Sequence, residues 1–296
     1  MGTSGTFGGS KNGLVPSWVD EPASPPAVAP DSAEPDSADG DGIGGPDQNG
    51  ETPLAQPGAT PAQSYPPIPR IPASSRLGGA RGNMTRGART SDERALRRGA
   101  GRYVRASGGG RSTASRMPNS RAMAGGVAGL ARSFANQGPA EALRRFNLEG
   151  MAGAPAEDVF VALTDMLCPA GGTIDEAIAR DAMLETVADL AASGVGNFDE
   201  LSADNLREFF IGVVSRSIEG KILNEVGTNA IAAPSDVAGV ERAQAMLHDF
   251  IEGCVRDEFD ARETDLSDLD AAVVDSFVDD LYGAALDLVK ALGDDG

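Results

Sequence analysis

The chain holds one histidine, His248, and two cysteines, Cys168 and Cys254, so the side chains that most often move protons, attack carbonyls or bind transition metals are scarce. His248 stands in Met246-Leu247-His248-Asp249-Phe250. It lacks the second His, the Cys or the convergent carboxylates at fixed spacing that a metal centre or an acid–base pair requires. No phosphate loop, dinucleotide glycine fingerprint or nucleophile elbow is present. The run Gly108-Gly109-Gly110 lacks a following Lys-Ser/Thr and does not follow a strand. The carboxylates Asp257, Glu258, Asp260, Glu263 and Asp265 lack the EF-hand spacing. They read as a solvated helix end, and Asp279 and Asp280 as the polar face of the last helix. The expectation is a protein with no catalytic residues, no metal and no cofactor.

Arginine carries the remaining chemistry. Residues 70–132 hold about fourteen Arg against Asp92 and Glu93. Arg94, Arg97, Arg98, Arg102, Arg105, Arg111 and Arg116 surround Tyr103, the only aromatic residue in that stretch before Phe134. Such a block could neutralise phosphates and bind nucleic acid in a salt-sensitive way. A single tyrosine makes a weak stacking platform. The block could equally lie against an acidic protein surface, in this chain or in a partner.

The charge is arranged in blocks that serve these alternatives. Residues 1–69 carry about −8, residues 70–132 about +12 and residues 133–296 about −23, which together make the formal −19. Nearly all of the Pro and much of the Gly lie before residue 140. A chain of that composition buries too little apolar area to offset the entropy of ordering it.

Four segments follow from this. Residues 1–19 form a small-residue tail with Gly2 at its start and Leu14, Val15, Pro16 and Trp18 as an aromatic anchor that could fill a partner's pocket. Gly2 and Thr6 fit a short acylation pattern that recurs by chance. Residues 20–75 form a disordered Pro/Ala/Asp/Gly linker that ends in a polyproline-like stretch. Residues 76–138 form the Arg-rich segment, with one or two short helices, over Arg94–Val104 and about Ser120–Ala135. Residues 139–296 form an acidic bundle of five or six amphipathic helices.

Local signals mark the helices of that bundle. Pro139 and Pro155 suit helix starts, and Pro169 a stop. Thr173 and Glu176 form a capping box, and Gly194 closes the helix that follows. Ser202, Ser235 and the pair Ser267 and Asp270 stand where later helices open. Alternating β-type runs are absent, so the fold class is all-α, with a long, largely disordered N-terminal arm before the bundle. Both cysteines sit in apolar helical patterns and read as buried thiols in a reducing cytoplasm. No signal-peptide layout and no membrane-spanning apolar stretch occur. A cytoplasmic location away from membranes is expected.

The start Met1-Gly2-Thr3-Ser4 running into Leu14-Val15-Pro16-Ser17-Trp18 resembles the QatB proteins of the bacterial Qat anti-phage system. The likeness extends through Gly101-Arg102-Tyr103-Val104-Arg105 and Ser107-Gly108-Gly109-Gly110 to Arg111-Ser112-Thr113-Ala114-Ser115-Arg116-Met117. The resemblance implies a non-catalytic component working with an ATPase, a QueC-like protein and a TatD-like nuclease. QueC-like enzymes activate a deazapurine carboxylate with ATP and pass it to an amine. In related defence systems such an enzyme is thought to use a protein's N-terminal glycine as acceptor. On that basis Gly2, exposed once Met1 is removed, is the expected modification acceptor. The helical domain is then the expected dock for the ATPase or another partner.

Overall fold

A computed structural model of the chain describes residues 74–169, 171–227 and 237–294. The expectations for Gly2, Leu14, Val15, Pro16 and Trp18, for the linker before Ser74, and for Ser235 as a cap lie outside the described residues; Ser74–Leu77 form a 3₁₀ turn.

Among the described residues there are ten α-helices and no strand. They are α1 (Gly78–Thr90), α2 (Glu93–Ala106), α3 (Gly110–Ala114), α4 (Pro118–Gln137), α5 (Pro139–Arg144), α6 (Ala156–Leu167), α7 (Ile174–Ala192), α8 (Ala203–Val226), α9 (Val237–Asp260) and α10 (Val274–Asp294).

Helix starts follow the local chemistry. Asp92 accepts from the Ala95 N–H and caps α2. The Thr173–Glu176 box opens α7, and Ser202 with Asn205 opens α8. Pro118 and Pro139 occupy the first positions of α4 and α5, where a missing N–H costs nothing. Gly138, at φ 88°, makes the turn between those two helices.

Helix α8 is buried around most of its circumference, with Phe210, Ile211, Val213, Val214, Ile218 and Ile222 all inaccessible to solvent. A helix apolar on every side belongs inside a core, and α8 lies against α4, α7 and α9. Its adjacent phenylalanines serve two aromatic clusters. Phe209 stacks on Phe160 of α6 with ring centroids 4.0 Å apart. Phe210 meets Phe259 of α9 at 5.9 Å and Phe277 of α10 at 6.5 Å. Burial of one such ring stabilises the fold by roughly 1.5–3 kcal/mol.

The Arg-rich segment differs from its expected form. It contributes four helices where one or two were expected, because α1 and α3 are also present. Its apolar residues join the same core as those of α6–α10, without a break at Gly138. Helix α10 begins at Val274 and not near Ser267 or Asp270. Residues Leu266–Asp268 form a 3₁₀ turn instead, and Leu266 within it and Leu269 just after it are drawn into the core.

Glycine explains how α1–α3 pack. A Cβ on Gly101 of α2 would stand 2.9 Å from the Gly293 Cα of α10. A Cβ on Gly110 of α3 would overlap the Gly283 carbonyl oxygen of α10. On sequence the run at Gly110 reads as a helix break, while Gly101 falls inside an expected helix. In the fold they let backbones approach to distances no side chain permits.

Candidate functional site

The basic residues picked out by sequence divide into three environments. The first faces α10, whose carboxylates Asp280, Asp287 and Asp294 recur at seven-residue spacing. Arg111 stands 3.9 Å from Asp280, the Gly110 N–H donates to Asp287 at 2.9 Å, and Arg105 binds Asp294. Arg121 of α4 binds the neighbouring Asp279. The acidic edge of α10, expected to be merely solvated, thus receives part of the basic segment. Arg97 pairs with Glu93 and lies 5.0 Å over the Phe250 ring of α9, and Arg98 stands 3.9 Å from Asp92. Exposed pairs of this kind contribute about 0–1 kcal/mol each. Arg111 is 90% exposed, so these contacts fix helix register more than they add stability.

The second environment is buried. The side chains of Arg116 and Glu225 are only 8% and 9% exposed and stand 3.9 Å apart. Lys221 Nζ binds Glu225 at 3.0 Å and donates to the Arg116 carbonyl at 3.2 Å. Arg116 also donates to the Ser107 and Ser112 carbonyls, both at 3.1 Å. Charges withdrawn from water this far require such partners. Tyr103 is fully buried next to this group. Burial, then the nearby Glu225 charge, pushes its pKa well above the usual range, so the phenol keeps its proton. Tyr103 and Arg116 therefore tie α2 and the α3–α4 connection to α8. Arg116 lies against a carboxylate of the acidic bundle, one of the two uses left open for the basic segment.

The third environment is the outward side of α1 and α2. Arg86, Arg89, Arg94 and Arg102 are exposed there and have no carboxylate partner among the described residues.

A further network was not legible in sequence. Asp175 of α7 is buried and accepts from the Asn119 N–H at 2.6 Å and the Ser120 hydroxyl at 2.8 Å, which caps α4 from another helix. The Tyr282 hydroxyl donates to the Ser120 carbonyl at 3.2 Å and lies 2.7 Å from the Ser217 hydroxyl. The usable signal was Asp175 inside a capping box, with Tyr282 as the single tyrosine of α10.

His248 bridges helices. Its Nδ1 lies 2.9 Å from Glu219 of α8 and its Nε2 3.3 Å from Glu252 on its own helix. The hydrogen bond to Glu219 raises its pKa against the opposing effect of burial. Cys168 and Cys254 are both buried, and loss of solvation lifts their thiols to about 11 and about 12. Protonated thiols are poor nucleophiles. A cleft of about 520 Å³ between α3, α9 and α10 is lined by Arg111, Arg262, Glu258, Asp280 and Asp287. Arg262 pairs there with Glu258, and Arg111 with Asp280. Among the described residues no group of three or more His, Cys, Asp or Glu is placed to hold a metal ion. No described helix is long and apolar enough to cross a membrane.

The described fold and its polar clusters define an all-helical domain whose paired charges join one helix to another. Residues 108–289 match the family model of the Qat anti-phage system associated protein QatB. The chain belongs to this QatB family and is a component of an anti-phage defence system. The matched span runs from the Gly108 turn into α10 and leaves α1 and α2 outside it. No curated protein and no solved structure matches the chain.

Proposed function

We propose that this chain serves the Qat system as a non-catalytic adaptor that couples a modifiable N-terminus to a helical docking domain. In this reading Gly2 is the acceptor once Met1 is removed. ATP converts a deazapurine carboxylate held by the QueC-like partner to an acyl-adenylate with loss of pyrophosphate. The Gly2 amine attacks its carbonyl carbon, the acyl–phosphate bond breaks, and an amide forms with release of AMP and the amine proton. An α-amino group with a pKa near ~8 is deprotonated more readily than a lysine. Residues 3–20 act as the recognition segment with Leu14, Val15, Pro16 and Trp18 as its anchor. The Pro/Ala/Asp/Gly stretch that follows is a tether, which raises the local concentration of the acceptor at the modifying enzyme.

The observation that carries the docking half is the distribution of exposed apolar side chains. Val161 and Met166 of α6 and Ile174 and Leu184 of α7 are exposed, while α1–α3 carry no exposed large hydrophobic residue. Exposed apolar side chains of this kind suit a protein partner, with the ATPase as the expected occupant.

The test is the intact mass of the chain co-expressed with the other Qat components, followed by fragmentation of its N-terminal peptide. Loss of Met1 with a deazapurine-sized addition on Gly2 is expected. Replacement of Gly2 by a bulky residue should abolish defence with helical content unchanged. Normal defence in that variant, or an unmodified Gly2 beside an active QueC-like partner, overturns the acceptor role.

A further inference from the structure

The outward side of the α1–α2 hairpin remains unexplained by the ion pairs. Residues 78–106 carry eight Arg against Asp92 and Glu93, while residues 133–296 carry about −23. On α1 the positions Gly79, Gly82, Arg86 and Arg89 fall on one helical face. On α2, Arg94, Arg98, Arg102 and Arg105 do the same. Arg102 reaches over α1, its guanidinium 3.3 Å from where a Cβ on Gly79 would stand, so the two rows adjoin. Within these rows Arg105 is held by Asp294 and Arg98 faces Asp92. Arg86, Arg89, Arg94 and Arg102 are exposed and have no carboxylate partner among the described residues.

Gly82 is a second, independent observation. A helix-interior glycine destabilises its helix by roughly 0.5–1 kcal/mol relative to alanine. Gly87 and Gly99 are explained by packing, since a Cβ there would collide with Leu96 and Met84. A Cβ on Gly82 would meet nothing within 4 Å. Its face is bare backbone flanked by arginines, which suits a ligand that must come close.

We infer that this face binds the phosphodiester backbone of duplex nucleic acid, without reading its bases. Phosphate contacts need guanidinium and hydroxyl donors and little apolar area. The face offers exposed guanidinium donors and no exposed large hydrophobic residue, whereas a protein interface is built on an apolar core. Single strands are held largely by aromatic stacking, and Tyr103, the one aromatic residue on these two helices, is fully buried. The acidic remainder of the domain does not cancel the attraction, because charges beyond about 8 Å are screened at physiological salt.

The experiment uses the full chain with fluorescent duplex DNA, the same single strand, and polyglutamate, between about 50 and about 200 mM salt. The comparison is with a variant carrying Arg86→Gln, Arg89→Gln, Arg94→Gln and Arg102→Gln. A control carries Arg144→Gln and Arg242→Gln, on other exposed surfaces. Four phosphate contacts predict that wild-type affinity falls about a hundredfold over that salt range. The fourfold variant should lose most of the binding and flatten the salt slope by about 3–4, while the control keeps both. Absence of binding at the lowest salt, or equal binding by the fourfold variant, overturns the proposal. Preference for the single strand overturns the duplex assignment, and equal retention of polyglutamate assigns the face to an acidic protein instead. The outcome is independent of whether Gly2 is modified.

Discussion

Helices α1–α3 and helices α6–α9 reach the same degree of burial by different routes. The later helices fill space with rings and branched chains: Phe160, Phe209, Phe210, Phe250 and Phe259, with Leu, Ile and Val between them. The early helices contain no phenylalanine and bury one ring, Tyr103, drawing the rest of their core from Ala80, Met84, Ala88, Leu96, Ala100 and Val104. Where they meet α10 they use bare backbone, at Gly101 against Gly293 and Gly110 against Gly283. Large side chains gain stability from the area they remove from water. Glycine stripes gain it from many short-range contacts, each individually weak. The first kind of packing tolerates small adjustments of side chains. The second tolerates no added atom.

The largest effect belongs to the first kind. Phe210→Ala removes a fully buried ring that touches two other rings and should cost about 3–5 kcal/mol in urea unfolding of the whole chain. A loss under about 1 kcal/mol would mean that the aromatic cluster is not the centre of the core.

Next comes a pair of identical substitutions with opposite signs. Gly110→Ala sets a methyl group against the Gly283 carbonyl and should cost about 1–3 kcal/mol or more. Gly82→Ala sets the same methyl group in open space and should stabilise the chain by about 0.5–1 kcal/mol. Equal signs in thermal unfolding would erase the distinction between packing glycines and surface glycines.

The smallest effect concerns His248, which joins α8 to α9 through Glu219. Its folded pKa lies above the unfolded value near ~6.5. The pair's contribution is therefore fully present below about pH 6.5 and is lost as pH rises through the raised pKa. Wild type should lose stability relative to His248→Gln as pH rises from about 6.5 through the raised pKa. Parallel pH profiles would show that the imidazole titrates alike in the folded and unfolded chain.

The same contrast explains what the sequence made legible. The Phe- and Leu-rich helices announced themselves by period, and Thr173–Glu176, Ser202 and Pro139 marked their starts where expected. Helices α1 and α3 did not, because glycine's low helix propensity argues against a helix until the neighbour that wants the space is known. The basic segment's partners were hidden for a related reason. Arg105 and Asp294 are 189 residues apart, and Arg121 and Asp279 are 158 apart. The seven-residue spacing of Asp280, Asp287 and Asp294 was visible, but nothing local said what would face it. Tyr103 stood out as a lone aromatic among arginines, and the tertiary fold shows it buried beside Arg116 and Glu225.

The Gly110–Asp287 contact joins residues 177 positions apart, and this has a consequence for biosynthesis. At about 5–20 residues per second, α10 leaves the ribosome roughly 10–35 s after α3. During that interval the glycine stripe and the arginines beside it have no partner helix, and the basic segment waits as an unfinished surface. Helix α10 is the one that covers α2 and α3, so a ribosome stalled before α10 would hold a chain whose α2–α3 surface has not yet been claimed.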